Sequence, residues 1–66
     1  KASMDGLEFK QIAAMLEERI GSKGIDQETL LAGLSGLVKE KAMRVLAEWA
    51  GEEKIAVDPE GLIRLL

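Results

Sequence analysis

Sixty-six residues, 47% of them hydrophobic and 32% charged, describe one small packed domain and exclude a disordered tail, which would have fewer apolar groups for its charge. A chain this short buries only about 60% of the surface its unfolded form exposes, and without cysteine the small core has neither disulfide nor thiolate–metal reinforcement. Nine Lys and Arg against twelve Asp and Glu leave a net charge of −3, opposite in sign to the balance of a module that works by neutralising phosphates.

Residues 1–6 read as a flexible N-terminal segment and 7–66 as the folded domain. The opening Lys1-Ala2-Ser3, which lacks an initiator Met, reads as a cut from a larger protein. From Leu7 to Ile20, the residues Phe9, Ile12, Ala13, Leu16 and Ile20 follow the i, i+3, i+4 spacing of one helical face. Asp5 stands at the N-cap position and Gly21 at the C-terminal stop. Gly21-Ser22-Lys23-Gly24 is a turn, and Ile25 reads as a one-residue strand before Asp26, a second N-cap candidate.

A short helix is expected from Gln27 to Leu34, with Leu30, Leu31 and Leu34 inward and Ser35-Gly36 interrupting it. From Val38 to Ala50, the residues Val38, Ala42, Val45, Leu46 and Trp49 give the strongest helical period in the chain, and Gly51 is the expected stop. Ile55-Ala56-Val57 and Leu62 to Leu66 then flank Asp58-Pro59-Glu60-Gly61, where Pro presets a turn and Gly accepts positive φ. Leu62 to Leu66 also fit the start of a helix, but the turn before them favours a hairpin strand.

Catalytic chemistry is poorly provided for. Histidine and cysteine are absent, which removes the common general base, the soft metal ligands and the strongest nucleophile. The adjacent carboxylates Glu17-Glu18 and Glu52-Glu53 form no calcium-loop pattern, and Gly21-Ser22-Lys23-Gly24 lacks phosphate-loop spacing. No enzyme activity, metal, cofactor or small-molecule ligand is expected. Absence of cysteine also favours a cytoplasmic or other intracellular setting, since small secreted domains usually carry disulfides. No apolar run approaches the roughly 20 residues that cross a bilayer, and no signal-peptide order is present, so no membrane role is expected.

The order helix, one-residue strand, short helix, longer amphipathic helix, hairpin resembles the winged-helix fold, an α+β, mainly α variant of the helix-turn-helix with a two-stranded β-wing after its third helix. Gly24-Ile25-Asp26, Val38 to Ala50, and Glu53-Lys54-Ile55 leading to Gly61 carry the likeness. The end of the chain, Glu52-Glu53-Lys54-Ile55 through Gly61-Leu62-Ile63-Arg64-Leu65-Leu66, is also similar to the C-terminal winged-helix domains of archaeal minichromosome-maintenance replicative helicases. Bacterial and archaeal transcription regulators show the same wing pattern. The helicase resemblance implies a regulatory appendage to a helicase core; helix-turn-helix kinship implies DNA contact through the third helix.

Charge placement weighs between these. The third helix segment carries Lys39, Lys41 and Arg44 against Glu40 and Glu48, whereas 52–66 carries Lys54 and Arg64 against Glu52, Glu53, Asp58 and Glu60. Such a wing would repel phosphate. Lys39, Lys41, Arg44, Lys54 and Arg64 are the candidate nucleic-acid or partner contacts, with a solvated face as the simpler reading of the helical three. Phe9 and Trp49, the two aromatic residues, fall on core stripes and offer no base-stacking platform. Met15 and Met43, at the margins of their helices' apolar faces, mark a candidate protein-contact seam. The expected role is therefore protein docking or regulation within a larger nucleic-acid-processing protein. Direct DNA binding through the third helix and a purely structural or self-associating domain are the alternatives.

Overall fold

A computed structural model describes residues 4–66; the first three residues of the expected N-terminal segment lie outside it. In chain order the elements are α1 (Gly6–Ile20), β1 (Ile25–Asp26), α2 (Gln27–Leu30), α3 (Gly36–Gly51), β2 (Ile55–Val57) and β3 (Leu62–Leu65). The fold is α+β and mainly α, with one antiparallel sheet in the order β1-β3-β2.

Local chemistry explains the element ends. Asp5 Oδ1 accepts the Glu8 N–H at 2.7 Å, supplying one of the partners that the first turn of α1 lacks. Met4, just before this cap, packs against the core. Gly21 closes the helix at φ 62° and donates its N–H to Glu17 O. Asp26 serves α2 in the same way, with Oδ2 accepting the Thr29 N–H at 3.0 Å and Oδ1 the Thr29 hydroxyl at 2.7 Å. The Thr29 hydroxyl, then its N–H, hold the Asp26 carboxyl below its ordinary value of 3.8. Its folded pKa is depressed, so Asp26 contributes stability above about pH 3.8 that disappears as pH falls through the lower folded value. In urea titrations, the stability gap between the native chain and Asp26→Asn is expected to stay flat around neutrality and to narrow below pH 4.

Several boundaries depart from expectation. The first strand has two residues, not one, because Ile25 and Asp26 pair with Ile63 and Leu62. The second helix stops at Leu30 instead of Leu34. Beyond it, Ala32 N–H bonds Thr29 O and Leu34 N–H bonds Leu31 O in three-residue turns, and Gly33 takes φ 83°. Helix α3 starts two residues earlier than its apolar period, so its first turn overhangs the core. Val38, expected inward, is 48% exposed there.

Helix α3 ends at Gly51 as its last residue, not as the expected left-handed stop. Glu53 takes the left-handed position at φ 60°, while Lys54 N–H donates to Trp49 O at 2.9 Å and Glu53 N–H to Ala50 O at 3.2 Å. This bond pair is the Schellman closure, whose left-handed position favours glycine. Glutamate there carries a steric cost that glycine lacks. Glu53→Gly is thus expected to stabilise the fold by about 1 kcal/mol, read as a rise in melting temperature of roughly 4–8 °C for a domain this size.

The hairpin forms as expected. Asp58 Oδ1 accepts the N–H groups of Glu60 and Leu62, each at 2.9 Å, and Gly61 takes φ 89°. Beneath the sheet lies a core of Leu16 and Ile20 from α1, Leu30 and Leu31 from the α2 region, Ala42, Val45, Leu46 and Trp49 from α3, and Ile55 and Ile63 from the hairpin. Every layer contributes, so no element is an appendage.

Candidate functional site

The five candidate cations are spread over α3 and the hairpin, and Lys41, Lys54 and Arg64 stand beside carboxylates. Lys41 Nζ lies 2.7 Å from Glu8 Oε2, with its side chain only 17% exposed. It ties α3 to α1 instead of standing in the solvated face that the sequence suggests. At the hairpin, Lys54 Nζ is 3.3 Å from Glu52 Oε1 and Arg64 Nη2 is 3.6 Å from Asp58 Oδ2. Exposed pairs of this kind add little stability, but they partly cancel the charge that would meet a phosphate. Lys39 and Arg44 lie exposed on α3.

Two grooves of mixed lining run along α3, and Lys39 borders the larger of them. Between the α2 region and α3 runs an open groove of about 670 Å³ lined by Gln27, Glu28, Leu31, Leu34, Lys39 and Met43. A second groove, of about 230 Å³, continues between α3 and the sheet along Gln27, Met43, Ala47, Ala50, Ile55 and Val57. Met43 and Gln27 belong to both, so the two form one tract along α3. Met15 packs against the core from α1 and lines neither groove. The structure thus brings Met43 together with Lys39, and does not bring it together with Met15 in either groove.

Two contributors escape sequence reasoning. Arg19 Nη1 donates to the carbonyls of Leu30 at 3.0 Å and Ala32 at 2.9 Å, clasping the end of α2 and shaping one wall of the larger groove. An arginine in the last turn of α1 is a local sign of C-terminal capping, yet its partners lie 11 and 13 residues away on another element. Val57 reads as an ordinary strand residue but is 60% exposed at the mouth of the smaller groove.

Among the described residues no group of three or more His, Cys, Asp or Glu side chains converges as a metal-binding set, and no buried side-chain nitrogen or oxygen lacks a hydrogen-bond partner. Glu17, Glu18, Glu52 and Glu53 are all exposed. No helix among the described residues is long and apolar enough to cross a membrane. Comparison with family models, with curated proteins and with solved structures finds no match for this chain.

Proposed function

We propose that the chain is a non-catalytic winged-helix module that docks protein surfaces as part of a larger nucleic-acid-processing protein. The carrying observation is the character of its surface: Lys41, Lys54 and Arg64 are matched by Glu8, Glu52 and Asp58, while a tract of mixed polar and apolar lining, with Met43 in both of its grooves, lies open along α3. A face that reads DNA needs the reverse arrangement. The winged-helix reading is supported by the order α1-β1-α2-α3-β2-β3 and by the pairing of β1 with β3, which joins the first strand to the hairpin. Methionine on an exposed groove favours protein partners, because its flexible thioether adapts to varied apolar shapes.

A titration of the chain with duplex DNA, followed by amide chemical shifts at physiological salt, tests this. Non-specific duplex binding typically has Kd values of about 10⁻⁴ to 10⁻⁶ M, and this chain is expected at the weak end or beyond. Submicromolar binding, with shifts along α3 that vanish in Lys39→Glu/Arg44→Glu, would overturn docking in favour of DNA recognition. Lys41 is unsuited to that test, since Lys41→Glu would set a second carboxylate against Glu8 and perturb the fold itself.

A further inference from the structure

Among the described residues the sheet ends in an open edge with a defined hydrogen-bonding parity. Leu66 N–H donates to Lys54 O at 2.9 Å and Asp58 N–H to Leu62 O at 3.0 Å, so Lys54 and Asp58 turn backbone groups toward β3. Ala56, opposite Arg64, does the same by the alternation of antiparallel pairs. Ile55 and Val57 must then aim their N–H and C=O groups away from β3, toward the free side of a sheet ordered β1-β3-β2. The side chains alternate too. Ile55 and Val57 line the smaller apolar groove against α3, and Lys54, Ala56 and Asp58 occupy the other face.

We propose that this edge binds a second copy of the chain, β2 against β2, antiparallel and centred on Ala56. In that register Ile55 faces Val57 of the second copy and Val57 faces its Ile55. These are the residues whose backbone groups point outward, so each pair exchanges two hydrogen bonds. Ala56 meets Ala56 of the second copy at a non-hydrogen-bonded position, where Cα atoms approach to about 4.5 Å and a small side chain fits. Lys54 meets Asp58 of the second copy on the same face, and two-fold symmetry repeats the ion pair. The two smaller grooves then join through Val57, which covers its exposed side chain.

Charge complementarity selects the occupant. A lysine at a short edge normally discourages strand addition, and a generic extended peptide has no reason to place a carboxylate against Lys54 and a cation against Asp58. The chain's own β2 run backwards does both. Centring on Val57 instead sets Ile55 against Pro59, which has no N–H to donate. Centring on Ile55 sets Glu53 against Val57 and loses the Lys54–Asp58 match. Lys54 can serve the second copy because its existing pair with Glu52 is exposed and 3.3 Å long.

The chain has no cysteine, so Ala56→Cys carries a single thiol. Its proposed separation from its symmetry mate, about 4.5 Å between Cα atoms, lies within the disulfide range of roughly 4.4–6.8 Å. Mild oxidation is expected to give a covalent dimer of Ala56→Cys under conditions that leave Lys23→Cys, in an exposed turn, a monomer. In the cysteine-free chain, amide hydrogen exchange at Ile55 and Val57 is expected to slow as concentration rises, with Ala56 unchanged because β3 already holds its N–H. Val57→Lys, at an exposed position that the fold tolerates, is expected to lose both the concentration dependence and, combined with Ala56→Cys, the crosslink. Equal crosslinking of the two cysteine variants overturns the proposal. So does exchange at Ile55 and Val57 that stays independent of concentration into the millimolar range, or protection there without the Ala56→Cys crosslink.

Discussion

Trp49→Ala is expected to cost about 3–5 kcal/mol, enough to bring the domain to the edge of unfolding. Trp49 is only 4% exposed and packs from α3 into a cluster that reaches α1 and both strands of the hairpin. A buried indole removes about 150–250 Å² from water, which at roughly 25 cal/mol per Å² is a transfer gain of about 4–6 kcal/mol. A domain of this length has a total stability of only about 3–10 kcal/mol. Trp49 is the single tryptophan, so the native protein should emit at short wavelength and shift to the red on unfolding. The variant must be followed by circular dichroism during urea titration. A loss under about 1 kcal/mol, with the fold intact, would contradict burial and make the indole a surface anchor for a partner.

Leu30→Ala is expected to cost about 2–5 kcal/mol, and to do so through the least self-sufficient element. Helix α2 has four residues, far below the roughly 12–15 at which an isolated helix becomes even marginal. It is held by the Asp26 cap, by the two Arg19 hydrogen bonds and by Leu30, whose side chain is fully buried. Removing that anchor should let Gln27 to Leu34 open before the rest of the molecule. Amide exchange in this segment should therefore accelerate more than in α1 and α3, while urea titration reports the global loss. Unchanged exchange would show that cap and clasp suffice without the apolar anchor.

The features legible in the sequence are those written within one turn of chain. Asp5 and Asp26 cap the helices they precede, the spacing of Ala42, Val45, Leu46 and Trp49 marks the buried side of α3, and Asp58 to Gly61 is a hairpin turn. Failures begin where distant groups decide. Leu30, Leu31 and Leu34 keep helical spacing, yet the backbone turns at Gly33 and Arg19 holds the freed carbonyls. Val38 shares the period of α3 but lies in the overhanging turn, and Gly51 looks like a stop although Glu53 takes the left-handed position. The candidate site divides the same way. The cations are plain to read, but whether Lys41 faces water or Glu8, 33 residues away, is a tertiary matter.

The sheet order has a consequence for how the molecule is made. Of the three strands, β3 is the last to be synthesised, yet it occupies the middle, between β1 and β2. Neither Ile25 nor Val57 has its strand neighbour until Ile63 arrives. On a ribosome the three helices can gather while the chain is still tethered, because their contacts close within residues already made. The sheet cannot, since the hub of both pairings is still inside the exit tunnel. A nascent chain stalled before Leu62 would display both outer strands unpaired, with Ile55 and Trp49 lacking part of their cover, and would be a substrate for chaperones that hold exposed strand edges. Emergence of Leu62 to Leu65 from the tunnel, not the formation of any helix, is then the event that completes the sheet.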